Sequence, residues 1–537
     1  MEPQQDVRGS FKPSIVLLIA LLLFVCIPLI ALAQFGAHAR TDEADPYLFA
    51  CFGRELLQGA ALYRDLWDIK PPAIFWINAL GVWLGRGSLI GVYALCALCV
   101  CASVGLITAI AYRRYGLANA CLTAIMASLY LPLNDLHIGC NRPCTYYLVS
   151  DLLAFVCYLR AWRGGTLHAR WLWIAGLVGG VSFCFRQTAV APMIAIGLHL
   201  LWVGRDCGGG WRGQAKRLVC FVGGWLTTVA LTVGVLAVTA DLRWAWDAVV
   251  EVPFSGLQPP LELSMRLAED WVPKYADPYA LPLLLALCVA VHAVLRRLPR
   301  YRSAWAAPRT LAQPRGLVGL WWCWLVAGVL LSLFGIPGRP WYLAPAVPPL
   351  LLLSAHAVHL LFEFSRRVPE PRPAFPVVVA FVWFGAMMID PLASQRDMAL
   401  RQYHLRFQDR LDPGNVELIA EIEAHTQPGD AIFLSAYRPE VYWRTRRRLA
   451  CRYPGTLCAG GWEDPRNPVT PRIAEELRKN KPPLIQWTPL PQEDHAGGAF
   501  TAWLHENYRQ IDPDVVAGLW LRSDRMQTAS PGDKSSQ

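Results

Sequence analysis

Between Thr41 and Pro72 the chain places Asp42, Glu43, Asp45, Asp65 and Asp68 alongside Arg64 and Lys70. Carboxylates in such a group can take a proton from a hydroxyl or amine. A neighbouring ammonium or guanidinium can neutralise charge growing on an oxyanion. The same residues also fit a solvated face with local ion pairs, and charge alone does not separate the two readings. Four further positions raise the same question: Asp135 in NDLHIGCNRPCTYY (134–147), Arg186 between two apolar runs, and Arg339 and Tyr342 in GRPWYLAPAVPP (338–349). An arginine can grip two phosphate oxygens at once.

Composition says what must position these side chains. Of 537 residues, 54% are apolar and only 17% charged, where an average soluble chain is about a quarter charged. Mean hydropathy is +0.30. Runs close to the ~20 apolar residues that a hydrocarbon layer demands recur from Ser14 to about Asp390. The expected fold is a polytopic α-helical membrane protein. The net charge of +10 sits in short clusters between those runs rather than on one face, which argues against nucleic acid and for membrane orientation.

The first run, Ser14 to Ala33, follows Arg8 and Lys12, so it starts on the cytoplasmic side and reads as a retained anchor. Ala73 to Leu84 spans only about 18 Å as a helix, too short to cross, and is expected to be interfacial or re-entrant. Later crossings then fall near 88–111, 117–133, 145–162, 171–185, 188–204, 217–240, 279–295, 317–336, 341–362 and 374–390, about eleven with the anchor. This register makes every inside loop basic, from Arg113 and Arg114 to Arg366, Arg367 and Arg372; letting Ala73 to Leu84 cross would invert them all. Arg186 and Gln187 mark a tight external break.

Residues 1–392 are therefore read as a transmembrane catalytic domain, with an external loop at 34–87. Residues 393–525 read as a small extracytoplasmic α/β domain, and 526–537 as a disordered tail. In the α/β part, Val416, Ile419 and Ile422 have helical spacing, and Pro428-Gly429-Asp430 turns into the strand-like 431–437. Thr470-Pro471 starts a helix to about Asn480, and PLIQW (483–487) reads as a strand. Tyr437, Arg438, Glu440 and Tyr442 are read as supporting this fold, with acceptor recognition as the alternative. Ten of the 16 cysteines lie inside apolar runs. Cys140 with Cys144, and Cys451 with Cys458, are the pairs on the external side that an oxidising compartment could join.

Within residues 42–80, an Asp-Glu pair is followed by Tyr47, a helix ending in LLQG (56–59), YRDLWDIKPP (63–72) and FWINAL (75–80). This order resembles the first external loop of the GT-C superfamily of polyprenyl-phosphate-sugar-dependent glycosyltransferases. It is most similar to the branch of protein O-mannosyltransferases and lipid A aminoarabinose transferases. Fainter similarity continues at 338–349 and 430–453. The resemblance implies a multipass fold whose first loop supplies a catalytic acid at Asp42 or Glu43, with Lys70 near the donor phosphate. An extra residue before Tyr47 makes Asp45 a rival. Where family members often carry a second acid, this chain has Cys144 and Thr145, with Asp135 as the replacement.

The function expected from this resemblance is transfer of a sugar from a polyprenyl-phosphate donor to an envelope lipid, glycan or protein acceptor. Transfer would occur on the extracytoplasmic side of the cytoplasmic membrane. A phosphate leaving group needs little acid help, so one carboxylate base suffices for an inverting displacement. Asp45, Tyr47, Asp65, Asp68, Lys70, Asp135, Arg186, Arg339 and Tyr342 are the expected substrate-binding residues. The α/β part shows no GxGxxG or GxxxxGK[ST] pattern, and a donor arriving through the membrane needs no nucleotide cofactor. A divalent cation would use Asp42, Glu43 and Asp135 as oxygen ligands. The rival reading is a transporter or lipid flippase; acids gathered in an external loop and the lack of an evident repeat count against it.

Overall fold

The computed structural model describes residues 13–31, 44–132, 140–163, 166–203, 210–255, 279–295, 316–332, 340–365, 413–455, 469–487, 497–511 and 516–526, with isolated positions between 385 and 396. It divides into two compact units. One comprises Met1–His38, Cys96–Thr228 and Pro259–His404; the other comprises Ala39–Leu95, Val229–Gln258 and Leu405–Gln537.

Long apolar helices dominate the chain. Ile90–Tyr115, Pro143–Ala161, Gly210–Thr239 and Tyr342–Glu363 are long and apolar enough to cross a membrane, and shorter apolar helices accompany them. In the first unit, Pro143 occupies the first turn of its helix, where its missing N–H is no loss. After a short hairpin of β1 (Trp162–Arg163) and β2 (Thr166–Leu167), the chain returns as the helix Ala169–Phe185. That helix packs backbone to backbone on Gly210–Thr239: a Cβ on Gly176 would strike the Phe221 carbonyl, and one on Gly224 the Trp173 carbonyl. The expected break is present, because Arg186 is extended (φ −159°, ψ 134°) and the next helix is Ala191–Val203. Most of the 374–390 run lies outside the described residues.

One feature differs from expectation. Asp151 lies inside the crossing helix Pro143–Ala161 and is fully buried, so carboxylates are not confined to the external loop. Of the two cysteine pairs left open above, Cys140 and Cys144 are both buried thiols; Cys451 is a buried thiol, and Cys458 lies outside the described residues.

In the second unit, the helix Ala44–Leu57 crosses Ala73–Leu84 closely, with Phe49 and Phe52 on Phe75 at 5.9 and 5.3 Å. Gly53 permits the crossing: a Cβ there would stand 2.6 Å from the Ala79 nitrogen and 2.7 Å from the Asn78 carbonyl carbon. Residues 413–526 build a five-stranded mixed sheet in the order β4-β3-β5-β7-β6. Its strands are β3 (Ala431–Leu434), β4 (Arg448–Leu449), β5 (Leu484–Gln486), β6 (Tyr508–Gln510) and β7 (Leu519–Arg522). β3 pairs parallel with β4 and β5, while β7 pairs antiparallel with β5 and β6. The helix Pro413–His425 buries Leu418 and Ile422 against this sheet; Val416, expected on the apolar face, is exposed. Cys51 from the first-loop helix joins the same core, beside Ile432, Leu434, Val441 and Leu484.

Candidate active site

The YRDLWDIKPP stretch is a tightly tied loop. Tyr63 adopts φ 64°, its N–H reaches the Leu66 carbonyl at 2.8 Å, and the Ala61 N–H donates to Asp65 Oδ2 at 2.8 Å. The Tyr63 hydroxyl donates to the Lys70 carbonyl at 2.8 Å. Asp68 Oδ1 accepts from the Lys70 N–H at 2.9 Å and from its ammonium at 3.3 Å. Such a carboxylate bond two residues onward fixes the backbone of a turn. The Lys70 ammonium also stands 5.1 Å from the Phe49 ring centroid, over its electron-rich face. Asp68 is 7% exposed. Burial pushes its carboxyl upward, and the Asp45 charge adds to this; Lys70 works in the opposite direction. Asp65 faces its own loop and Arg64, whose guanidinium holds it below the usual carboxylate range.

Asp45 occupies the first turn of Ala44–Leu57 and accepts a 3.0 Å hydrogen bond from the Tyr437 hydroxyl. Tyr47 is buried. Further along this helix, Arg54 donates to the Trp443, Tyr442 and Arg447 carbonyls at 3.2, 3.1 and 2.9 Å, and buried Glu55 pairs with Arg448 at 2.9 Å. The Cys51 thiol donates to the Pro439 carbonyl, and burial pushes it up to about 12, so it is a packing group rather than a nucleophile. The Trp67 N–H donates to the Arg452 carbonyl at 2.9 Å, and its ring packs on Tyr453. The acid-and-lysine loop is thus held along its length by residues 437–453.

In the other unit, the Arg186 guanidinium lies 3.7 Å from the Tyr342 ring centroid, which unites two of the expected residues. Tyr146 donates to Asn141 Oδ1 at 2.8 Å and stacks on Phe185 next to Arg186. Asp42, Glu43, Asp135 and Arg339 lie outside the described residues. Two residues escaped the sequence reading. Arg142, 4% exposed at the start of Pro143–Ala161, sits in a loop judged by its carboxylates. Asp151 was legible as a lone acid in an apolar run, which is the usual mark of a special site.

Among the described residues, no three His, Cys, Asp or Glu side chains gather as a metal ion would need. Asp45 is bonded by the Tyr437 phenol and Asp68 by the Lys70 ammonium; Asp42, Glu43 and Asp135, the expected oxygen ligands of a divalent cation, lie outside the described residues.

Residues 69–231, which begin at the Ile-Lys-Pro-Pro of the loop, match the dolichyl-phosphate-mannose-protein mannosyltransferase family model. ArnT from Cupriavidus metallidurans bound to undecaprenyl phosphate is similar in structure over 97% of this chain and 100% of that one, with a TM-score of 0.57 and 14% identity. The apo state of the same protein aligns over 96% and 99%, at a TM-score of 0.51 and 14% identity. The Archaeoglobus fulgidus oligosaccharyltransferase in complex with Zn and sulfate aligns over 79% of this chain and 62% of that one, at 11% identity and a TM-score of 0.44. No curated protein matches the chain. The chain thus shares the fold of that ArnT over nearly its whole length, has helices long and apolar enough to cross a membrane, and matches the mannosyltransferase family model over residues 69–231.

Proposed function

We propose that this enzyme moves a sugar from a polyprenyl-phosphate donor to an envelope lipid, glycan or protein acceptor at the extracytoplasmic face of the cytoplasmic membrane. The acceptor hydroxyl or amine attacks the anomeric carbon, its proton passes to a carboxylate, and the bond from that carbon to the phosphate oxygen breaks. The polyprenyl phosphate leaves with the electron pair. Asp42 or Glu43 is the base, with Asp45 as rival. Lys70 meets charge on the departing phosphate, and Arg186 on Tyr342 is a second phosphate-binding candidate. Asp42, Glu43 and Asp135 would be the oxygen ligands of a divalent cation, which would offset negative charge on the phosphate.

The observation that carries this reading is the Lys70 ammonium, fixed by buried Asp68 and the Phe49 ring on the loop that also bears Asp45. A cation fixed before the charge develops stabilises it without reorganisation. The C-terminal α/β fold, read as extracytoplasmic, supports the same face for the first loop because the two are bonded together.

The test is transfer of labelled sugar from polyprenyl-phosphate sugars into membrane extracts by the purified protein and by Asp42→Asn, Glu43→Gln and Lys70→Ala. Loss in Lys70→Ala and in one acid variant supports the assignment. Wild-type transfer that persists in all three rejects the site, and no transfer by wild type from any such donor rejects the function.

A further inference from the structure

We infer that Tyr437 is a positioning residue: its hydroxyl fixes the Asp45 carboxylate and, through it, the first turn of the helix that follows the Asp42–Glu43 pair. This rests on the function proposed above and adds to that site a member from the segment that holds the first loop.

The hydroxyl of Tyr437 donates to Asp45 Oδ1 at 3.0 Å across 392 positions of sequence. A hydrogen bond to a carboxylate is of the stronger kind. Tyr437 can aim it because the segment around it is fixed. Ser435, just past the end of β3, donates its N–H to the Gln486 carbonyl at 2.9 Å. Arg438 donates to Asn415 Oδ1 at 2.7 Å, and Asn415 donates in turn to Glu440 Oε1 at 2.9 Å. Pro439 then opens the helix Pro439–Thr445. Burial pushes the Glu440 carboxyl upward, while the Asn415 bond and the nearby arginines oppose the shift.

The tyrosine that packs into the core of the sheet is a different one. That role falls to Tyr442, which is 1% exposed and accepts the Leu434 N–H at 2.8 Å. Tyr437 is half-buried and outside the core formed by Ile432, Leu434, Val441 and Tyr442. Its phenol spans from the sheet to the helix start. That bond ties down the first turn of the helix, where backbone N–H groups lack intrahelical partners, two residues from Glu43.

The test uses the full chain in four forms: wild type, Tyr437→Phe, Asp45→Asn and the double variant, with Tyr442→Phe as a control for sheet packing. Tyr437→Phe is expected to lose about tenfold in kcat, the scale of one bond to a charged group. Donor KM and the melting temperature should stay at wild-type values, and the double variant should lose no more than Asp45→Asn alone. Tyr442→Phe should lower the melting temperature without coupling to Asp45→Asn. Wild-type kcat in Tyr437→Phe, or losses that multiply, overturns the inference. Hydrogen exchange over residues 44–52, which needs no donor, is read in parallel. Tyr437→Phe should speed it, and unchanged exchange overturns the inference even if the sugar donor has been misassigned. Faster exchange with no transfer by wild type leaves the inference standing and rejects the function.

Discussion

Gly53→Ala tests how the acid-and-lysine loop is held. The added carbon would lie 2.6 Å from the Ala79 nitrogen and 2.7 Å from the Asn78 carbonyl carbon, where ordinary contact begins at 3.4 Å. Both obstacles are backbone atoms of Ala73–Leu84 and cannot rotate away, so the helices must part by about 0.8 Å, a shift near the ~1 Å that can cost 10²-fold in rate. Overpacking of this kind costs about 1–3 kcal/mol, and a backbone clash belongs at the upper end. Phe49, on which Lys70 rests, and Asp45 both ride on the displaced helix. The expected outcome is a lower melting temperature with transfer reduced by one to two orders of magnitude. Gly105→Ala, in the middle of Ile90–Tyr115 with nothing within 4 Å of the new carbon, is the matched control. It should stabilise the protein by about 0.5–1 kcal/mol. Labelled-sugar transfer and thermal unfolding in detergent read both outcomes. If Gly53→Ala keeps wild-type melting and rate, the close crossing does not position the loop.

Lys70→Ala should cut transfer by about 10²–10³ and cost about 2 kcal/mol by leaving buried Asp68 without its ammonium. Adding Asp68→Asn should restore the melting temperature but not the transfer. Because burial raises Asp68 above 3.8, its folded carboxyl holds a proton that the unfolded chain has already lost. Its contribution to stability therefore falls as pH rises from about 3.8 through that raised value and is level beyond it. The melting temperature of Asp68→Asn relative to wild type should consequently be higher at pH 7 than at pH 4; an equal or reversed difference contradicts the assignment. Arg54→Ala strips donors from three carbonyls of the 442–447 segment and should lower stability by about 3 kcal/mol, read by thermal unfolding. Arg186→Ala and Arg186→Lys should raise donor KM alike, about tenfold, because a compact ammonium does not reproduce a planar group stacked on Tyr342. Full function in Arg186→Lys would remove the stacking from the argument.

What was legible in the sequence is what has a period or a length. Ala73 to Leu84 is too short an apolar run to cross, and it forms a helix with those bounds. Arg186 interrupts two apolar runs, and the helices end and begin around it. In the sheet region, the Pro428-Gly429-Asp430 turn precedes β3, and the helix Val469–Asn480 precedes β5, as their spacing predicts. Val416 shows the limit: helical spacing alone offered more than one apolar face, and the sheet took Leu418 and Ile422. Partner choice across the chain has no such signature. Nothing in Asp45 or Arg54 announces that Tyr437 and the 442–447 carbonyls will satisfy them. Lys70 was legible as a cation of interest through its motif, but its fixing by Asp68 and Phe49 came from the fold.

The bonds that fasten the first-loop helix to the sheet span 388 to 393 positions. During synthesis, its partners therefore emerge only after all the intervening chain has been made. At ribosomal speeds of about 5–20 residues per second, this leaves an interval of tens of seconds. A nascent molecule in the bilayer has its lysine and acids but lacks the frame that aims them. A chain stopped before residue 437 has the first-loop helix and none of the bonds that fasten it.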